Sequence, residues 1–412
     1  MRRKILVLIS EGGGGHKSAG ESLVEILSPN YDVEIVNAID TIIEPLDWFK
    51  RLSIGKITAE IIYNWLLRNE IGILLKAYIR RGKRHMHVRR KKIATLFDRF
   101  LNNLNWRPDL IISTIPFIND GLLLAANRNR IPYLLLPTDL DVTMFLSGFE
   151  KLSRDDLAFF KLALAYNRQE LLVNVFKHSS IEPEDLLFPG FPVRPACQKE
   201  YSQEEINALK NQLGMATDRP TVTLVMGASG GNAIVRHAME ISRLHILSDG
   251  KKIQANICTG HNAKSKNHIV KLLKKLGGTV ISEEHDCTKI ESKEGILFLI
   301  YGFTKEIIKI LACSDLVISK TGSCTVNEAI YLGKKLLLDF SEQSTAKYLF
   351  WEEFNVWFVK RHRLGAAFCK SEELRSLIPF MLKEKHSLSP HFSLPNFQSN
   401  IQTVVNSLVS SS

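Results

Sequence analysis

The sequence predicts an α/β protein built from two doubly wound, Rossmann-like domains that face each other across a cleft. Three observations point there. Short apolar runs without polar alternation recur in both halves of the chain, and strands of that kind belong to parallel sheets buried on both faces. Each run leads into a Gly-, Ser- or Thr-rich turn and then a helical pattern, the alternation of α/β folds. Between the halves lies Pro189-Gly190-Phe191-Pro192-Val193-Arg194-Pro195, a breaker-rich stretch that reads as a linker. The expected divisions are residues 1–192, residues 193–385, and a helical piece over 386–412 that packs back on the first domain.

The first run is Ile5 to Ile9. It ends in Glu11-Gly12-Gly13-Gly14-Gly15-His16-Lys17-Ser18, and a helical pattern continues through Leu23, Val24, Ile26 and Leu27. A strand, a glycine turn and a helix N-terminus make an anion site from bare N–H groups and the helix dipole. A Walker loop requires Gly directly before Lys-Ser, where His16 stands. The dinucleotide fingerprint requires Gly where Lys17 or Ser18 stands. Two readings are left: a glycine turn that holds His16 as a working residue at the sheet edge, or a tight turn followed by an incidental histidine.

Val33 to Val36 reads as the next strand. Residues 41–107 then read as helical, with Trp48, Phe49, Ile61, Ile62, Trp65, Leu66, Ile71, Ile73, Leu74 and Leu75 as a dense apolar group. A cationic run follows: Arg80, Arg81, Lys83, Arg84, Arg89, Arg90, Lys91 and Lys92. Apolar and basic residues side by side suit an anionic membrane surface, with Trp65, Leu66 and the arginines and lysine at 80, 81, 83, 84, 89 and 90 as contacts. A solvated helix face is the plainer reading. Nucleic acid is not expected, because no stacking aromatics lie within the basic run. Asp109 to Ser113 and Tyr133 to Leu136 are further strands. Asp139-Leu140-Asp141 follows the latter, a weak metal signal in that setting. Residues 143–180 read as an insertion with helices.

The second half restarts with a strand from Thr221 to Met226, closed by Gly227-Ala228-Ser229-Gly230-Gly231-Asn232, a second candidate phosphate loop. Strands follow at Lys252 to Cys258, Thr279 to Ile281 and Leu297 to Ile300, with a polar surface loop over 282–295 and a helix from about Thr304 to Cys313. Asp315 to Ser319 runs into Lys320-Thr321-Gly322-Ser323 and a helix start. Glu328 stands three residues after Thr325, so it is either a capping-box partner or a carboxylate for two vicinal hydroxyls. Lys335 to Asp339 is the last clear strand, and a helix covers about 397–409.

Composition narrows the function classes. A net charge of +11 favours acidic partners. None of the six cysteines forms a C-x-x-C pair, which points to reduced cytosolic thiols and away from zinc. The N-terminal apolar run is too short for a signal peptide, and no uninterrupted apolar window is long enough to span a bilayer.

Four motifs in this order resemble one family: the Glu11–His16 turn, the Gly190–Pro195 stretch, Met226-Gly227-Ala228-Ser229-Gly230-Gly231, and Thr321–Ala329. Together they resemble the monogalactosyldiacylglycerol synthase and processive diacylglycerol glucosyltransferase family, related to the N-acetylglucosaminyltransferase that makes lipid II. The resemblance is continuous over about 187–340, good over 1–40 and 108–141, and poor over 41–107, 143–180 and beyond 345. It implies a GT-B fold and a UDP-sugar donor held by the second domain. The acceptor is a membrane lipid reached through the first domain, diacylglycerol first and a polyprenyl-linked lipid second. The implied chemistry inverts the anomeric carbon and needs no metal or cofactor. The implied setting is cytoplasmic, peripheral on the inner face of a membrane.

Carried over residue by residue, the resemblance makes His16 the general base and Glu11 its helper. Gly227, Ser229, Gly230 and Gly231 hold the diphosphate, with Arg194 neutralising it, and Gly14 and Gly15 are further donor-binding residues. Phe303 lies on the uracil and Thr304 offers it backbone groups. Gly322 and Thr325 approach the phosphates, Glu328 takes the ribose hydroxyls, and Gln343 touches the sugar. Relatives carry Asp at the position of Glu11, and Glu at the position of Ser344, which leaves the sugar open. An epimerase of the same fold and a non-catalytic UDP or lipid binder are the competing expectations.

Overall fold

The computed structural model describes residues 2–12, 14–69, 71–178, 180–228, 230–244, 250–284, 287–341, 347, 349–384 and 392–410. The chain forms two compact units. One comprises Met1–Asn64, Ile73–Gln198 and Leu394–Ser412, the other Trp65–Gly72 and Lys199–Ser393.

In the first unit, β1 (Lys4–Ile9) leads to α1 (Gly15–Leu27), β2 (Asp32–Asn37), α2 (Ala38–Thr41), α3 (Trp48–Leu52), α4 (Ala59–Arg68), α5 (Gly72–Val88) and α6 (Arg90–Asn103), with the end of α4 and the first residue of α5 falling in the Trp65–Gly72 stretch of the other unit. There follow β3 (Leu110–Ser113), α7 (Asn119–Arg128), β4 (Tyr133–Leu135), β5 (Phe160–Ala163), α8 (Gln169–Val175) and β6 (Leu186–Leu187). The sheet order is β2-β1-β3-β4-β5-β6, and every pairing is parallel. Alternate residues of β1 serve opposite faces, as the pleat requires. Ile5, Val7 and Ile9 pack with Leu23, Ile26 and Leu27 of α1, while Leu6 and Leu8 pack with Phe97 of α6 and Leu122 of α7. Both faces are therefore covered, and each such buried side chain contributes about 1.5–3 kcal/mol. The strand order reverses between β1 and β3, which makes their C-terminal ends a switch point.

The 143–180 stretch is more than an insertion with helices, because it contributes β5 to this sheet. Phe160, Leu162 and Ala163 are buried but Lys161 interrupts them, so the run is too short and broken to read as a core strand.

The second unit contains α9 (Gln203–Gln212), β7 (Thr221–Val225), α10 (Ala233–Ser242), β8 (Gln254–Cys258), α11 (Ala263–Lys275), β9 (Thr279–Glu283), β10 (Cys287–Glu291) and β11 (Leu297–Tyr301). It continues with α12 (Ile307–Ala312), β12 (Leu316–Ser319), α13 (Ser323–Tyr331), β13 (Lys335–Asp339), α14 (Phe350–Arg361), β14 (Gly365–Phe368) and α15 (Leu374–Lys383). The order is β14-β13-β12-β7-β8-β11-β10-β9, and the sheet is parallel except at β10, which runs antiparallel to both neighbours.

Two expectations change here. The 282–295 stretch is not a surface loop throughout: the end of β9 and all of β10 lie in it as an edge hairpin. Lys289 and Glu291 interrupt the apolar residues of β10, half-buried and with Glu291 paired to Arg219, and that polarity masked the strand. Nor is Lys335–Asp339 the last strand. β14 carries Gly and Ala because a Cβ on Gly365 would lie 2.1 Å from the Leu336 carbonyl oxygen. Few strand formers fit such a site, so little signals it.

The last helix, α16 (Phe397–Ser410), buries Phe397, Ile401, Val405 and Val409 at helical spacing, in the same cluster as Ile5 and Leu110. Gln402 donates to the Ile26 carbonyl at 3.2 Å, and Tyr31 and Asn406 hydrogen-bond each other. Along the chain the two units divide at 64/65, 72/73, 198/199 and 393/394. Ser22 donates to the Val193 carbonyl at 2.7 Å, and the Gln198 side chain accepts the Gln398 N–H at 3.1 Å, so the turn through 195–198 stays with the first unit. Among the described residues no helix is long and apolar enough to cross a membrane.

Candidate active site

At the switch point of the first sheet, Gly14 takes a left-handed conformation, φ 82°, and caps α1. His16 thereby enters the first turn of the helix beside the ends of β3 and β4. Its Nδ1 lies 2.7 Å from the Thr114 carbonyl oxygen and 2.8 Å from the Thr138 hydroxyl. A carbonyl can only accept, so Nδ1 carries the proton and Nε2 is left as the basic nitrogen. The Phe145 ring stands edge-on at 6.2 Å. Desolvation pushes the imidazole pKa down to about 4, opposed only in part by the Thr114 hydrogen bond. His16 is therefore a neutral base throughout the physiological range rather than a group titrating near 6.5.

Glu11 lies beside the turn. Its exposed carboxylate lies 3.8 Å from Lys17, and its N–H donates to Glu60. The orienting groups are Thr114 and Thr138, which no motif marked. Asp141, of the Asp139-Leu140-Asp141 triplet, accepts the Thr143 N–H at 2.8 Å and the Asn174 amide at 3.3 Å. Among the described residues no group of three or more His, Cys, Asp or Glu is placed to hold a metal ion.

At the corresponding edge of the second unit the order reverses between β7 and β12, and the loops after β7, β8 and β12 meet. Gly227, φ 78°, lies under Lys320, whose Cε would be 2.7 Å from a Cβ there. Gly230, φ 61°, lies so close to β8's loop that a Cβ would stand 2.0 Å from the Thr259 carbonyl oxygen. Asn262 donates to the Gly230 carbonyl at 3.0 Å and also caps α11 through the Ser265 N–H. Gly231 precedes Asn232, the cap of α10. Phe303 is half exposed, one face stacked on His261 at 4.1 Å and 13°, the other open. The Thr304 hydroxyl accepts the Glu306 N–H at 3.0 Å.

Gly322 is the cap of α13, so Thr325 occupies its third position and Glu328 its second turn. The capping-box reading of Glu328 does not hold, and its carboxylate is a buried group. α14 braces this turn: Glu352 accepts from the Thr321 hydroxyl at 3.0 Å, and Asn355 donates to Thr321 O and Ser323 Oγ, both at 2.7 Å. Lys320, Glu352 and Asn355 were not singled out by the motifs. Gly14, Gly15 and Arg194 belong to the first unit and the remaining phosphate-loop candidates to the second. Ser229 and Gln343 lie outside the described residues.

Of the expected membrane contacts, Trp65, Arg80, Arg81, Arg84 and Arg89 are exposed, while Lys83 and Arg90 are half-buried. Leu66 is buried and cannot meet a surface, because it falls on the inward side of α4. Trp48, Leu52, Ile54 and Ile57 are exposed instead.

Comparison with known proteins places this geometry. Residues 221–346 match the glycosyltransferase family 28 C-terminal domain. The chain is similar to a probable chloroplastic monogalactosyldiacylglycerol synthase of Nicotiana tabacum, at 24% identity over 82% of this chain and 58% of the relative. It is also similar to a processive diacylglycerol beta-glucosyltransferase of Bacillus pumilus, at 22% identity over 82% of this chain and 77% of the relative. The chain thus spans less than two thirds of the length of the plant synthase. In fold it is similar to MurG of Acinetobacter baumannii, with a TM-score of 0.56 and 12% identity over 98% of this chain and 99% of that one. A putative UDP-N-acetylglucosamine 2-epimerase of Listeria monocytogenes has the same TM-score at 13% identity, over 100% and 98%. The architecture is the GT-B fold, with two Rossmann-like units.

Proposed function

We propose that this chain, whose second unit carries a glycosyltransferase family 28 C-terminal domain, moves a hexose from a UDP-sugar to a membrane lipid, diacylglycerol first, with inversion. The observation that carries the reading is His16: its Nδ1 donates to the Thr114 carbonyl, leaving Nε2 free as a base at a sheet switch point. Relatives named for diacylglycerol transfer supply the acceptor class.

In this reading Nε2 takes the proton of the acceptor hydroxyl as its oxygen attacks the anomeric carbon, and UDP departs from the opposite face. Gly227, Ser229, Gly230, Gly231 and Lys320 hold the diphosphate. Its growing charge is met by N–H groups and the start of α10, with no cofactor called for. Arg194 adds a cation, Thr325 approaches the phosphates, and Glu328 takes the ribose hydroxyls. The open face of Phe303 takes the uracil, with Thr304 beside it, and Gln343 contacts the sugar. The apolar and basic residues of α3 to α5 hold the protein on the cytoplasmic face of an anionic membrane.

The test is to incubate the purified protein with anionic vesicles containing diacylglycerol and labelled UDP-sugars in turn. Label entering the lipid from one donor, and lost in His16→Ala and Glu328→Ala, is expected. Label entering a polyprenyl phosphate instead would change the acceptor. UDP binding without transfer to any lipid would leave a non-catalytic binder and defeat the proposal.

A further inference from the structure

In the first unit, α3 and the turn after it form a projection that leaves Trp48, Leu52, Ile54 and Ile57 in solvent. Ile54 is 91% exposed and sits at φ 53°, a conformation that a β-branched residue adopts only at a cost. Exposed Arg51 and Lys56 flank this tip. One buried carboxylate staples its base. Asp47 accepts the Lys50 N–H at 3.1 Å and, on its other oxygen, the Ala59 N–H at 2.8 Å. Ala59 is the first residue of α4.

Immediately afterwards, α4 grips the glycine turn. Glu60 Oε1 accepts the Glu11 N–H at 2.7 Å, and Asn64 donates to the Glu11 carbonyl at 3.2 Å. The Tyr63 ring stands 3.5 Å from where a Cβ on Gly12 would be. Glu60 Oε2 also accepts from Asn37 at the end of β2, at 3.3 Å. Residues 60, 63 and 64 share one face of the helix, while Ile57 and Ile61 point to solvent. Both backbone polar groups of Glu11 are thus held by side chains of a single helix. A run of glycines has little conformational preference of its own, so the path of the backbone leading to His16 depends on these grips.

We propose that α4 is a strut through which an anionic lipid surface sets the glycine turn, with Glu60 and Asn64 as positioning residues for His16. The inference rests on the lipid-acceptor reading above. Insertion of the apolar tip, with its cations against headgroups, fixes the base of the projection at Asp47. The base fixes the start of α4, and α4 fixes Glu11.

The test combines turnover with amide hydrogen exchange. On anionic diacylglycerol vesicles, Glu60→Ala and Asn64→Ala are expected to lose roughly tenfold or more in kcat, with UDP affinity unchanged within about twofold. Glu60→Gln keeps an oxygen that accepts the Glu11 N–H but turns an N–H toward the Asn37 amide, so its loss is expected to be clearly smaller than that of Glu60→Ala. Exchange in a peptide covering 11–18 should be faster in Glu60→Ala than in wild type, and slower in wild type once vesicles are added. Ile54→Asp should abolish that vesicle effect. Equal exchange in wild type and Glu60→Ala, or no response to vesicles, would overturn the strut. So would unimpaired turnover in both truncated variants. Asn64→Ala decides the matter if Glu60→Ala does not fold. If the wild type transfers sugar to no lipid, the transfer reading fails by itself, and the exchange measurements still decide this one.

Discussion

The two sheet edges obey one topological rule and use it differently. In the first unit the switch point lies between β1 and β3, and its glycine turn delivers a desolvated, neutral histidine with one free nitrogen. In the second, between β7 and β12, the glycines let three loops crowd together, and the side chain over them is a lysine. In the proposed reaction one edge accepts a proton and the other holds negative charge. Glycine is the means in both, but in the first it sets a direction and in the second it makes room.

If labour is divided this way, substitutions at one edge should leave the other's measurement untouched. The largest expected effect is in His16→Ala, which should lose roughly 10²–10⁴ in kcat while binding UDP normally. Gly230→Ala should do the reverse. Its methyl would stand 2.0 Å from the Thr259 carbonyl oxygen at a positive φ. Displacing that backbone costs about 1–3 kcal/mol, so UDP affinity by calorimetry should drop by roughly 10–100-fold. Lys320→Ala should weaken UDP about tenfold and leave the glycine path intact. A His16 variant that lost UDP as well, or a Gly230 variant with normal UDP affinity, would break the comparison.

A smaller effect sharpens it. Burial lowers the His16 pKa from 6.5 to about 4, so the free base persists across the neutral range and disappears only as pH falls through about 4. The profile of kcat/KM should be flat from neutrality down to about pH 5, with its acid limb near 4. Stability carries the same sign. The unfolded chain binds the proton first, so the histidine's contribution is complete above 6.5 and is lost as pH falls toward 4. An acid limb near 6.5 would mean a hydrated imidazole.

What could be read in advance depended on how local the signal was. β1 is an almost wholly apolar run and β7 a β-branched one, and a glycine-rich turn follows each, so both the strands and the turns after them were legible. His16 and Glu328 stood inside those patterns. β5, β10 and β14 were not legible, because a lysine, alternating half-buried charges and a close-packed glycine replaced the usual marks. The partners of the site residues were also illegible, for a different reason. Thr114 is 98 residues from His16, and Glu352 is 31 from Thr321. Such pairs are made by the strand order, which no local spacing records. The environment of His16 followed suit: only the packed fold puts Phe145 beside the half-buried ring and lowers its pKa.

The position of α16 has a consequence for synthesis on the ribosome. Phe397, Ile401, Val405 and Val409 complete a core whose other members precede residue 188. Everything from 199 to 393 must be translated before that core can close. During that interval the second unit, whose Trp65–Gly72 stretch is already made, can fold, while the first waits with an apolar face uncovered. A nascent chain released before 397 would carry that unshielded face, and its fate is capture by a chaperone or aggregation rather than a half-active enzyme.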